Sequence, residues 1–431
     1  MPNMSTKHNV SSYSTLSGKP RKPHRVAIDV DSIAKRLQER EISRPAKVSQ
    51  DSCSSMASGC PDSNEETLQE TTFTPHLAAD VPPLSHIYLY LTEGCNQACQ
   101  HCWIAPSYMA DKGTGGHVSA KRLLNVCEKA KLLGLTGVKL TGGEPLLHPE
   151  FSELVYGLKE LELSLWIESN LTLLTPNNSI ALLETMNFIS TSLDSATPEG
   201  HDTFRGVPNS FHTTCEAIRL LAPHIPLQII MSIHSGNAHE VEKVILLAKE
   251  LGAVSVKFNL IRTQGRADRL LKNGRLLDVT ELIRIGRKVE DELGPKYGME
   301  VFYSWPPAFW RLSSIASRHL DSCGIHHLIG ILGSGHYGLC GVGKNIPELV
   351  YGTLDDDFSD IWNYNESLKK IRDEIPNKIT GICADCIFKK ECKAYCIANN
   401  YHDSGRLNAP HWFCEESYRE GLFPTTRLVP N

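Results

Sequence analysis

Between about Leu84 and Leu293 the spacing of apolar residues alternates between two periods. Short runs rich in branched and aromatic residues read as strands: Ile87–Leu91, Gly137–Thr141, Leu163–Ile167, Phe188–Leu193, Leu227–Ile233 and Val254–Leu260. Between and after them, apolar residues at helical spacing mark Ser119–Leu133, Glu150–Leu161, Ser179–Met186, Ser210–Leu221, Glu240–Leu251 and Thr280–Leu293. Strands alternating with helices predict an α/β fold built of βα units around a parallel sheet. Six such units fall short of a closed eightfold barrel, and in barrel folds the site lies at the C-terminal ends of the strands.

The flanks follow other rules. Residues 1–83 are rich in Ser, Thr, Pro and charge and poor in aromatic residues, so they are expected to be a low-complexity, largely disordered extension. One island, Val26–Arg40, predicts a short helix with Val30, Ile33, Ala34 and Leu37 on one side. A tether or docking arm is one reading of this extension, and a variable tail is the simpler one. Cys53 and Cys60 have no companion ligands nearby and read as incidental. The expected division is 1–83, a core at 84–300, and a cysteine-rich, loop-rich region at 301–431.

Composition narrows the function. A chain of 431 residues has room for two or three domains. Its net charge of −5 makes no electrostatic case for a nucleic-acid partner. No apolar run approaches the ~20 residues that span a bilayer, and the N-terminus has no apolar signal core. Fourteen cysteines without an export signal argue for metal sites in a cytoplasmic protein rather than a disulfide framework. Cys127 and Cys215 sit among apolar neighbours on helices and read as inert core thiols.

The candidate chemistry gathers at strand ends. Cys95, Cys99 and Cys102, spaced C-x3-C-x2-C, follow the first strand. Three thiolates on a four-iron cluster leave one iron open, since such clusters usually take four cysteines. A zinc knuckle using His101, or a redox thiol pair, is the alternative. The second strand runs into Gly142-Gly143-Glu144-Pro145, where glycines permit close backbone approach and Glu144 offers an acceptor for an ammonium group. Glu168-Ser169-Asn170 ends the third strand, and Ser192-Leu193-Asp194 the fourth. His201-Asp202-Thr203-Phe204-Arg205-Gly206 follows, with a surface ion pair as the ordinary role of Asp202 and Arg205. Ser232, His234 and Asn237 end the fifth strand, and Gly265-Arg266 follows the sixth. His234 reads as a structural hydrogen-bonding residue. Among the acids, Asp194, Asp202 and Glu168 are positional candidates for a general base.

In the C-terminal third, eleven residues separate Cys323 from Gly335 and four separate Gly335 from Cys340. Cys383-x2-Cys386-x5-Cys392-x3-Cys396 follows, then Cys414 after seventeen residues. Taken alone, C-x2-C-x5-C-x3-C suits zinc as well as iron and sulfur.

Together these motifs resemble the radical S-adenosylmethionine (SAM) superfamily, with C-x3-C-x2-C after the first strand of a partial (β/α)6 barrel and GGEP after the second. His101 stands where that family commonly has an aromatic residue. The seven later cysteines are similar to the SPASM domain, which carries two auxiliary four-iron clusters. The resemblance implies SAM and three 4Fe-4S clusters as cofactors. It implies Cys95, Cys99 and Cys102 on the SAM-binding cluster, with Cys323, Cys340 and Cys396 on a proximal auxiliary cluster. Cys383, Cys386, Cys392 and Cys414 would complete a distal one. The proximal cluster lacks an evident fourth ligand; its site is open to substrate or filled by a residue such as His319 or Asp321. SAM contacts are implied for Gly142, Gly143, Glu144, Pro145, Ser169, Asn170, Ser192 and Arg205. The family's chemistry is reductive cleavage of SAM to a 5'-deoxyadenosyl radical that removes a hydrogen atom from the substrate. The run around Cys95 looks most like maturases of ribosomally made precursor peptides, including spliceases that excise a tyrosine-derived tyramine unit and leave an α-keto-β-amino acid. Sulfatase (formylglycine) maturases, crosslinking and epimerising peptide maturases are alternatives, and a non-catalytic zinc module is the alternative from another class. Implied partners are a precursor peptide, a separate leader-binding protein, and an electron donor such as flavodoxin or ferredoxin, with no nucleic acid and no membrane.

Overall fold

Each strand-like run forms a strand within about two residues of its expected bounds in the computed structural model, which describes residues 75–109, 115–261, 263–317 and 323–430. The strands are β1 (His86–Tyr90), β2 (Gly137–Thr141), β3 (Ser164–Glu168), β4 (Phe188–Ser192), β5 (Leu227–Ile233) and β6 (Ser255–Leu260). The helices are α1 (Ala120–Lys131), α2 (Phe151–Glu160), α3 (Pro176–Thr185), α4 (Pro198–Arg205), α5 (Ser210–Leu221), α6 (Val241–Glu250) and α7 (Val279–Arg287). The expected helix at Val26–Arg40, with Cys53, Cys60, His319 and Asp321, lies outside the described residues.

Local chemistry explains where the bounds moved. α3 starts earlier than expected because Thr175 and Asn178 cap each other reciprocally, with Pro176 in the first helical turn. Helix α4 forms where no helix was expected: Thr197 caps it, Pro198 opens it, and Gly206 ends it in the left-handed region. After Arg287 the α-helix continues as a π-wound stretch, Lys288–Leu293. β5 is buried along its whole length, as a central strand covered by helices should be.

The sheet extends past the six units. β7 (Glu300–Tyr303) adds to β6, and β8 (Leu328–Ile331) pairs in parallel with β1, Ile87 opposite Ile329. β9 (His336–Gly338) and β10 (Val350–Thr353) then add antiparallel. The order is β10-β9-β8-β1-β2-β3-β4-β5-β6-β7. Residue 300 therefore falls at a strand of the common sheet, and β8 covers the edge of β1 that a six-stranded unit would leave open.

Residues 76–82, inside the expected extension, are bonded to the fold. His76 N–H donates to Leu132 O at 2.8 Å, and Trp362 Nε1 of α8 (Phe358–Tyr364) donates to Pro82 O at 3.0 Å. Residues 76–82 thus strap α1 to α8. Among the described residues no helix is long and apolar enough to cross a membrane.

Candidate active site

The loop carrying Cys95, Cys99 and Cys102 has little regular structure, so its shape comes from what grips its backbone. Three neighbours do so. At the β2 end, Gly143 N–H donates to Thr92 O and Glu144 N–H to Gly94 O, both at 2.9 Å, and Thr92 Oγ1 donates back to Glu144 O at 3.1 Å. At the end of α4, Ala98 N–H donates to Arg205 O at 3.0 Å and Gln100 N–H to Phe204 O at 2.9 Å. Beyond β6, Arg266 N–H donates to Cys102 O at 3.0 Å. Gly265 has φ +61°, and a Cβ there would lie 2.6 Å from Trp103 O. The sequence motifs at three strand ends are thus the clamps of a fourth.

Glu144 is fully enclosed. One carboxylate oxygen accepts from Ser169 Oγ at 2.6 Å and Leu146 N–H at 3.0 Å, the other from Asn170 N–H at 2.9 Å. Burial raises its pKa, and these three donors offset part of that shift. Glu144 therefore ties the GGEP turn to the β3 end while still facing the central cavity.

Arg205 and Asp194 form a second tie. Nε of Arg205 meets Asp194 Oδ2 at 2.5 Å, and Nη1 reaches Cys99 Sγ at 3.5 Å. The side chains are 8% and 0% exposed. Asp194 also accepts Ser232 N–H at 2.9 Å. Burial opposes its ionisation, but Arg205, His101, His201 and the Ser232 amide together carry its pKa below the ordinary carboxylate value. A carboxylate so occupied is a poor general base, which corrects its candidacy. Asp202 fails differently: it lies outside the cavity lining, accepting from Asn209 N–H, Ser210 Oγ and Phe211 N–H at the start of α5. Glu168 does reach the cavity, paired with Lys139 Nζ at 2.6 Å.

His101 packs flat on Phe204, ring centroids 4.6 Å apart, and His234 covers Phe204's other side at 4.4 Å. Burial pushes His101 down to about 3 and, with Arg275 nearby, His234 to about 4, so both rings are neutral at pH 7. Neutral, stacked His234 fits the structural role expected of it. Pro145 lies buried in the turn after β2 and outside the cavity lining.

The cavity measures about 370 Å³. Its wall includes Cys95, Cys99 and Cys102 together with Cys323, Cys340 and Cys396. Gly142, Gly143, Ser169, Asn170, Ser192 and Arg205 also face it. A separate small pocket is lined by Cys383, Cys386, Cys392 and Cys414 with Phe388 and Phe423. No three His, Cys, Asp or Glu side chains among the described residues converge as the ligands of one ion do; the trios face a common space instead. The twelve described cysteines form no disulfide with one another, and burial pushes Cys95 and Cys99 up, a shift that a bound metal reverses. Arg266 supplies a test of fit: its Nε and Nη2 are buried without a hydrogen-bond partner among the described residues, facing the cavity beside Cys102. An anionic group such as a carboxylate satisfies them, so the donor set suits SAM beside a thiolate-bound cluster.

Sequence reading missed Tyr90, Lys139, Lys257, Asn259 and Ser304 as cavity residues. Their signal was strand parity: Lys139 and Lys257 are charged residues inside otherwise buried strands.

Residues 89–248 match the model of the radical SAM superfamily. This chain is a radical SAM enzyme. It is related to SPASM-type peptide maturases and to AdoMet-dependent haem synthases. It is 28% identical to the AdoMet-dependent heme synthase of Methanosarcina barkeri over 77% of this chain and 95% of that protein. The subtilosin biosynthesis protein AlbA of Bacillus subtilis is 31% identical over 45% of this chain and 43% of its own. The mycofactocin maturase MftC of Mycobacterium tuberculosis is 24% identical over 79% and 85%. In fold, the chain matches Streptococcus suis SuiB bound to its precursor peptide SuiA with a TM-score of 0.62, at 14% identity over 78% of this chain and 77% of SuiB.

Proposed function

We propose that the protein is a radical SAM maturase of a ribosomally made precursor peptide, working in the reducing cytoplasm. The observation that carries this is the shared cavity: the Cys95, Cys99, Cys102 trio and the Cys323, Cys340, Cys396 trio open onto one 370 Å³ space. In this reading the first trio holds the SAM-binding cluster and the second a proximal auxiliary cluster. Cys383, Cys386, Cys392 and Cys414, in their own pocket, hold a distal one. Bound there, SAM and its cluster supply a 5'-deoxyadenosyl radical that removes a hydrogen atom from the substrate.

The chain's own residues orient and seal. Gly142 and Gly143 would let backbone approach the methionyl end of bound SAM, with Ser169, Asn170 and Ser192 lining the same cavity. Arg205 holds the cysteine loop through Cys99, and the unpartnered nitrogens of Arg266 receive a carboxylate. Glu168 lines the cavity, but against the opposing effect of burial its pairing with Lys139 lowers its pKa as Arg205 lowers that of Asp194, so no general base is assigned.

Excision of tyramine from a tyrosine is one form of this chemistry; formylglycine formation, crosslinking and epimerisation are others. A separate leader-binding protein and a flavodoxin- or ferredoxin-type donor complete the reading. Support for the peptide class comes from AlbA, a biosynthesis protein of the bacteriocin subtilosin, and from MftC, a mycofactocin maturase. A second reading, action on a tetrapyrrole, is favoured by the alignment over 95% of the haem synthase.

The test is anaerobic purification with iron, sulfide and product analysis. The proposal expects about 12 iron and 12 sulfide per chain, SAM cleavage on reduction, and a mass change in a co-expressed precursor peptide. Cys95→Ser should abolish SAM cleavage, whereas Cys340→Ser and Cys414→Ser should each lose about four iron and keep it. Colourless, zinc-loaded protein would sink the radical assignment, and a modified tetrapyrrole with an unchanged peptide would move it to the second reading.

A further inference from the structure

Between Cys392 and Cys396 the backbone adopts a shape that side chains resist. Lys393, Ala394 and Tyr395 stand one after another in the left-handed region, at φ +52°, +56° and +63°. None is glycine, and for a residue with a Cβ that conformation is costly even once. Three in succession persist only where the surroundings impose them. The turn joins cysteines of different sets: Cys392 lines the small distal pocket and Cys396 the central cavity. A step of four residues spans at most about 14 Å, so whatever shapes this turn places both sets at once.

Part of the hold is local. Tyr395 N–H donates to Cys392 O at 2.8 Å, and Cys396 N–H to Ala394 O at 2.7 Å. The rest comes from one side chain, Asn400 on α9 (Ile397–Ser404), which is 1% exposed. Its Nδ2 donates to Ala394 O at 2.9 Å and to Ala409 O at 3.1 Å. Both amide hydrogens are used on carbonyls, so Oδ1 is the acceptor, and His411 Nδ1, 3.2 Å away, donates to it. The His411 backbone N–H in turn donates to Cys383 Sγ at 3.5 Å, and its ring lies 4.9 Å from that of Tyr395. Asn400 thus grips the turn between Cys392 and Cys396 and, through His411, the segment that reaches Cys383.

We infer that Asn400 is a positioning residue for both auxiliary cysteine sets, holding the left-handed turn that delivers Cys392 to one and Cys396 to the other. The inference rests on the reading of these sets as cluster sites. The role needs two donors and one acceptor in a single short side chain, which is what an amide supplies. Without the amide, Ala394 O and Ala409 O lose their partner in a buried place. The turn then relaxes, and both cysteines move together.

Anaerobic iron and sulfide analysis of the reconstituted full chain tests this. Asn400→Leu keeps the branching and removes every polar atom. It should lower the iron content from about 12 to about four per chain, because each auxiliary set loses a ligand. The iron that stays belongs to Cys95, Cys99 and Cys102, and its electron paramagnetic resonance signal should still change when SAM is added. Adding Ala394→Gly removes a Cβ that resists the left-handed turn and should restore at least half of the missing iron, whereas a general packing fault would not respond to it. If Asn400→Leu loses all its iron, the double variant still decides: recovery supports the role and no recovery overturns it. Full iron in Asn400→Leu, or loss of one auxiliary cluster alone, overturns the inference and leaves the radical SAM reading standing. Wild-type protein with only about four iron removes the auxiliary clusters, and the inference falls with them.

Discussion

Gly143 stands so close to Gly94 that a Cβ on it would lie 1.8 Å from the Gly94 carbonyl oxygen. One glycine belongs to the turn after β2 and the other opens the cysteine loop, so this contact is where two motifs become one site, through glycines 49 positions apart. Gly143→Ala must push the loop away. The expected result is a loss of about 1–3 kcal/mol in stability, together with loss of the SAM-binding cluster. Denaturant unfolding and iron content check it; full iron loading would refute the clamp.

Asp194 and Arg205 should behave as a unit. Asp194→Ala leaves a buried guanidinium uncompensated and is expected to cost about 3–5 kcal/mol. Adding Arg205→Met should recover part of that loss, and a double-mutant cycle measures it. The pH dependence has a definite sign. Because the folded pKa of Asp194 lies below its ordinary value, its contribution is present above pH ~4 and disappears only as pH falls through the lower folded value. Acid unfolding of the wild type should therefore begin at lower pH than that of the variant.

His201 predicts a different window. Burial, with Arg205 beside it, holds its pKa down to about 4 from 6.5, so the folded state resists its protonation. Its contribution is complete above pH 6.5 and is lost as pH falls towards 4. Stability should decline by on the order of 2 kcal/mol across that range, and His201→Gln should flatten the decline in urea midpoints measured at pH 7, 5.5 and 4.5.

Asp202 is expected to matter for folding alone. Its carboxylate accepts three donors at the start of α5, so Asp202→Ala should cost about 1–2 kcal/mol. The rate of SAM cleavage in the folded variant should stay within twofold of wild type. A large drop in that rate at unchanged stability would return Asp202 to the chemistry.

The α/β order and the six strands were legible because strand and helix periods are local properties of the sequence. The cysteine spacings and GGEP were legible for a related reason: a loop that must bring several ligands to one cluster constrains residue type at close spacing. Helix α4 was missed although a local signal was present, Thr197-Pro198 before and Gly206 after. Lys139 and Lys257 were passed over because a charged residue in an apolar run looks like an edge or surface position until the sheet closes around it.

By itself, then, the sequence determined which residues could bind, and in what local spacing. Only the tertiary structure decided which act together. It turned Asp194 into the anchor of Arg205 and Asp202 into a cap. It also joined β8 to β1, and placed Cys323, Cys340 and Cys396 on the same cavity as Cys95, Cys99 and Cys102. These outcomes depend on contacts between residues tens to hundreds of positions apart. Such contacts follow from which buried donors, charges and apolar faces satisfy one another once the sheet has formed, and chain spacing carries no record of that.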